Sequence, residues 1–172
     1  MAAIRRIEDL PREELVKRLR LAAELASAMD GLWFVAAEQA HGFDRALELD
    51  VQVWERYGAV SVKRIRKYFP IDGKGLAGVK EVLSLDPFMA IVDFEVLSET
   101  PDSITFQAKT CPFLEAMERY GRKVFTCEQA ETAYFRGLAR AVDPRIRVAP
   151  LKLPPRQGPD EICCRWLFSI GE

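Results

Sequence analysis

Residues 90–110 read AIVDFEVLSETPDSITFQAKT, and within this stretch the chain changes its period. Ala90, Val92, Phe94 and Val96 alternate with more polar neighbours, and Ile104, Phe106, Ala108 and Thr110 do the same beyond the turn around Pro101-Asp102. Alternation sends successive side chains to opposite faces of a strand, so the stretch reads as two antiparallel strands in a hairpin. Upstream, apolar residues recur at helical spacing instead. Leu15, Val16, Leu19, Ala22, Ala23 and Ala26 line one side of a helix over 12–29, and Asp30 reads as the cap of a second, short helix stopped by Gly42. A third helix from Asp44 to Phe69 is carried by Leu47, Val51, Trp54, Val62 and Ile65 and ended by Pro70. A fourth covers Leu76 to Ser84.

Downstream of the hairpin, helices over Pro112 to Tyr120 and Cys127 to Ala141 are separated by Gly121. Strands near Arg145 to Leu151 and Ile162 to Ile170 flank the proline-bearing loop 153–159. The order strand, strand, helix, helix, strand, strand behind a helical lead-in predicts one α+β domain over residues 1–172. In it a helical N-terminal half, 1–85, packs on a four-stranded, mainly antiparallel sheet with covering helices, 86–172. A chain of 172 residues is long enough to enclose one substantial core.

The charge balance narrows the partners. With 25 Lys and Arg against 26 Asp and Glu, nothing in the net charge favours nucleic acid or an anionic membrane. The basic run Lys63-Arg64-Ile65-Arg66-Lys67 reads as the solvated face of a helix. Residues 1–25 hold no apolar core of signal-peptide length and no later segment has membrane-span character, so a cytoplasmic location is expected. In a reducing compartment the four cysteines are not expected to pair.

Two of those cysteines fall at predicted helix starts. Cys111 precedes Pro112, and Cys127 lies in Thr126-Cys127-Glu128-Gln129, which has the capping-box pattern. A helix N-terminus favours negative charge, so both thiols are expected to be acidified. On the last strand Cys164, Trp166 and Phe168 share the core face, while Cys163, Arg165 and Leu167 share the other, so at most one of the adjacent cysteines joins Cys111 and Cys127.

Three readings of the thiols stand side by side. They are small buried packing residues; or Cys111, Cys127 and Cys164 (or Cys163) bind zinc or a similar soft-ligand divalent metal; or Cys111 or Cys127 is a nucleophile served by His41, the single histidine, or by Glu128, with Glu115 and Glu131 as further acid–base groups. Trp33 and Trp54 read as core residues or as walls of an apolar cleft. Arg165 offers a bidentate fork to a ligand carboxylate, or is an ordinary exposed strand residue.

Thr110-Cys111-Pro112-Phe113, Gly121, Phe125-Thr126-Cys127 and Cys164-Arg165-Trp166-Leu167-Phe168 together resemble the C-terminal half of bacterial L-2-amino-thiazoline-4-carboxylate hydrolase-like proteins. The pattern looks most like an uncharacterised branch of that group, in which Leu32-Trp33-Phe34, Asp50 and Trp54 also match. It is more distantly similar to the 4-vinyl reductase-type domain, a small-ligand module. The resemblance spans residues 30–170 and implies hydrolysis of a C–N bond in a cyclic amidine, with Glu128 or Glu131 in the place of the family's acid. Three functions are therefore expected: a small-molecule- or metal-binding protein with a cysteine-lined site, such a hydrolase, or an interaction protein with purely structural cysteines. A homodimer would form through the long third helix.

Overall fold

The structure, a computed structural model, describes residues 6–122 and 125–171; the first five residues of the stretch read for a leader lie outside them. Helix α1 runs unbroken over Arg12–His41 and is joined at Gly42 to α2, Phe43–Tyr68. Gly42 has φ 83°, a left-handed conformation that only glycine adopts without strain. The break expected at Asp30 does not occur. Ala23, Asp30 and Phe34 fall on one face of the same helix; Ala23 and Phe34 are buried and Asp30 half-buried. Inward packing on both sides of Asp30 holds its backbone helical, where a capping residue must leave the helix.

Helix α3 is Gly75–Leu85, α4 Pro112–Arg119 and α5 Cys127–Val142. Strands β1 Phe94–Glu99, β2 Ser103–Ala108, β3 Ile146–Lys152 and β4 Cys164–Ile170 form one sheet in the order β1-β2-β4-β3, with every neighbouring pair antiparallel. The α+β architecture read from the sequence is the one observed. The first strand begins at Phe94 rather than Ala90. Asp86 explains the delay, because its Oδ1 accepts the Phe88 N–H at 3.0 Å and its carbonyl accepts the Met89 N–H at 3.0 Å, curling Met89–Ile91 into a 3-10 turn.

The core lies between the sheet and α2, α3 and α5. Ile104, Phe106, Trp166 and Phe168 from the sheet meet Tyr134, Phe135 and Leu138 of α5, with Val79 and Val82 of α3 closing one side. Helix α2 presses its buried stripe, including Trp54, Gly58, Val62 and Ile65, onto α5. That contact covers the buried stripe within the chain, while Val53 and Val60 of the same helix remain exposed. Among the described residues no helix is long and apolar enough to cross a membrane.

Two glycines set how closely α2 and α5 approach. A Cβ on Gly58 would overlap the backbone at Tyr134 and Leu138, and one on Gly137 would overlap the Glu55 carbonyl. Backbone cannot rotate aside as a side chain does. Gly137→Ala is therefore expected to destabilise the fold by about 2 kcal/mol or more, the overpacking cost exceeding the gain in helix propensity. Gly31→Ala in α1, where a Cβ meets nothing within 4 Å, should instead stabilise by about 0.5–1 kcal/mol. Denaturant titration of both variants checks the contrast.

Candidate functional site

The close approach of α2 and α5 places two chemical stripes face to face. Along α2, Asp50, Trp54 and Tyr57 follow at intervals of four and three residues; along α5, Cys127, Glu131 and Tyr134 do the same. This spacing keeps each set on one side of its helix. Asp30 approaches from α1, Cys111 from the residue that caps α4, and Cys164 from the core face of β4.

Three carboxyls of this cluster hold their protons unusually well. Asp50 is 3% exposed, and burial, reinforced by the Asp30 charge, pushes its carboxyl up to about 7 against the pull of a Trp54 hydrogen bond. Burial pushes Asp30 up to about 6. Glu131 rises to about 7 from burial first and from Asp30, Asp50 and Asp86 after it. Asp50 Oδ1 is buried and has no hydrogen-bond partner among the described residues. An orphaned buried carboxyl oxygen costs roughly 1–3 kcal/mol unless something donates to it.

The thiols behave opposite to expectation. Cys127 does open α5 and Cys111 does precede the first residue of α4. Burial nonetheless pushes Cys111 and Cys164 up to about 12 and drives Cys127 upward, and the Glu131 charge adds to all three. Backbone N–H groups of Phe113 and Leu114 pull Cys111 downward without reversing the effect. Desolvation outweighs the helix field, so these are protonated thiols. The capping box is also unformed: Thr126 has helical backbone angles and its hydroxyl points to Met117 Sδ at 3.9 Å.

Aromatic rings wall the acidic end. Trp54 makes edge contacts with Phe88, Tyr57 and Tyr134 at 5.3–5.7 Å and with Phe113 at 6.3 Å. Asp86, 1% exposed, accepts the Tyr57 hydroxyl at 3.2 Å and the Tyr134 hydroxyl at 2.9 Å, fixing both rings. Trp166 Nε1 is a second buried polar atom without a partner, although its indole borders Cys164.

The residues singled out from the sequence divide into two groups. Cys111, Cys127, Cys164 and Trp54 come together around Glu131 and Asp50. Trp33 does not join Trp54; it is exposed on the outer side of α1. His41 is exposed at the end of α1 and Glu128 in the first turn of α5, and among the described residues no hydrogen bond links either to a cysteine. Arg165 lies on the far face of the sheet, where its guanidinium donates to Gln107 Oε1 at 2.9 Å. Cys163 is buried just before β4, its thiol donating to the Lys109 carbonyl at 3.3 Å. All four cysteines are free. Among the described residues no group of three or more His, Cys, Asp or Glu side chains is arranged to hold a metal ion.

Asp30 and Asp86 were missed as members of this cluster. Asp30 after an apolar run has the signature of a cap, and Asp86 before Pro87 that of a turn. The signal that pointed inward was the spacing of Asp50 to Trp54 and of Cys127 to Glu131.

Comparison with known proteins places the chain more coarsely than its cysteine pattern implied. No curated protein matches the sequence. Among solved structures, the phenol-responsive sensory domain of the transcription activator PoxR, determined with phenol, is similar in fold with a TM-score of 0.56. The two share 15% identity over 84% of this chain and 73% of that one. The thiazoline-carboxylate hydrolase-like naming finds no support in these matches, and what residues 8–170 show is coarser: the protein belongs to a family of unknown function, DUF6125.

Proposed function

We propose that this protein binds a small organic molecule bearing a hydroxyl or N–H donor where α1, α2 and α5 meet around Asp50. The observation that carries the reading is Asp50 Oδ1, buried and unpartnered beside Asp30 and Glu131. A donor on the ligand satisfies it, and Trp54 and Phe113 offer edges to an apolar body. Cys111, Cys127 and Cys164 line the opposite end as neutral, polarizable walls. The likeness in fold to a phenol-responsive sensory domain supports a ligand-binding role over catalysis. Turnover by a thiolate is less favoured, because burial keeps the thiols protonated and, among the described residues, no base is hydrogen-bonded to Cys111 or Cys127.

A second reading, binding of a soft divalent metal by the same three cysteines, is favoured by thiols from three elements meeting around Glu131. It requires their side chains to rotate together, since they do not converge as placed.

Three measurements follow from the site. Phenol and benzylamine are the probes for calorimetric titration: at least one should bind the wild type, and Asp50→Asn should weaken it about tenfold or more, the loss of roughly one charge-assisted hydrogen bond. Heat from neither probe, or unchanged affinity in the variant, speaks against the Asp50 role.

The raised carboxyls also make stability depend on pH. Their folded pKa values exceed the usual carboxylate range, so the folded state binds more protons between about pH 4 and 7 and stability falls as pH rises through that window. The protein should melt at a lower temperature at pH 8 than at pH 5. Asp50→Asn should remove on the order of 1–3 kcal/mol of that difference. An unchanged pH profile in the variant would show that Asp50 titrates normally.

Metal analysis of the reduced protein, with Cys111→Ser and Cys127→Ser beside it, separates the two readings. The small-molecule reading predicts substoichiometric metal in all three samples and slow alkylation of both thiols at pH 8. Stoichiometric metal lost in both variants establishes the soft-metal site instead.

A further inference from the structure

Helix α1 has two faces of different character. Its inward face carries Ala23 and Phe34, the only buried residues of its 30. On the opposite side Leu21, Leu25, Ala28, Leu32 and Val35 succeed one another at intervals of four, three, four and three residues, and every one is exposed. Leu25 is 60% exposed and Leu32 68%. Leu15, Leu19, Met29 and Trp33 flank this row and are also exposed. Between residues 25 and 37 the sole charged residue is Asp30, which belongs to the inward face. Monomeric proteins seldom leave so long an apolar surface in water.

We infer that this outer face of α1 is the interface with a second copy of the chain. Three features select that occupant. The four–three spacing over Leu21 to Val35 is that of a two-helix seam, in which each apolar side chain enters a gap between four on the facing helix. A helix that meets it must carry the same spacing, and the second copy supplies one, making an isologous pair. The extent of the face points the same way. A standard interface buries on the order of 800 Å2 per partner, and eight large apolar side chains of this helix, each 37–68% exposed, are available to be covered. Finally, the centre of the face bears no charge, so nothing opposes the approach of an identical face. Glu13–Lys17 and Glu14–Arg18 pair within the helix near its start, neutralising those four charges at the rim.

The test is sedimentation velocity of the full chain from about 1 to about 100 µM, a range in which a dimer of this size dissociates or persists visibly. Twice the 19.5 kDa chain mass is expected for the wild type. Leu25→Glu combined with Leu32→Glu should weaken association at least a hundredfold with unchanged helical circular dichroism. Val60→Glu, on the exposed side of α2, should leave the dimer intact. Hydrogen exchange needs no variant: deuterium uptake across residues 21–35 should fall as wild-type concentration rises. A wild-type monomer throughout, or a dimer that the double substitution does not disrupt, overturns the inference. So does binding of the wild type to phosphatidylcholine–phosphatidylglycerol vesicles without self-association, which would give the face to a lipid surface.

Discussion

The backbone contact between α2 and α5 at Gly58 and Gly137 is the constraint on which the remainder of the molecule rests. Without side chains at these two points the helices approach until one backbone touches the other. Two chemical stripes face each other across that contact: Asp50, Trp54 and Tyr57 from one helix, Cys127, Glu131 and Tyr134 from the other. A wider separation would let water between the stripes, and the carboxyls would return toward ordinary acidity. The unusual proton affinity of the interior is thus a consequence of helix packing before it is a property of any residue.

The elements were legible where one period dominated. Helices α2 and α5 and strand β4 each repeat an apolar residue at their own period over seven residues or more, and their predicted bounds lie within one or two residues of those observed. The two misreadings have a common cause. Neighbours in sequence give Asp30 the look of a cap and Ala90 that of a strand start, whereas Phe34 packing inward and the Phe88 N–H donating to the Asp86 carboxylate decide the matter. The location of the thiols at helix starts was readable; their acidity was not. Proximity to helix N–H groups is written in the sequence, but the burial that overrides it arises only when β4, α4 and α5 come together.

The split between the functional residues is equally physical. Cys111, Cys127 and Cys164 lie far apart in the chain, and the sheet order β1-β2-β4-β3 brings β4 beside β2, whose end leads into Cys111. Cys163, in the preceding position, packs with Ala108 and Leu114 in a small second cluster that Cys111 and Cys164 border. Arg165 is carried to the far face by strand alternation, where Gln107 and Glu95 form a chain of polar contacts with it. One residue of register separates the face that meets α5 from the face that carries Cys163 and Arg165.

The continuity of α1 through Asp30 has a further consequence. Asp30 faces the carboxyl cluster and Leu32, on the same turn, faces outward, so no hinge lets the two sides of the helix respond separately. Whatever alters the charge of the inner carboxyl and whatever covers the outer leucine act on a single rigid rod. Where each prefers one position of that rod, the two preferences are linked and the linkage is reciprocal. Proton concentration and protein concentration then become interchangeable variables for the same equilibrium.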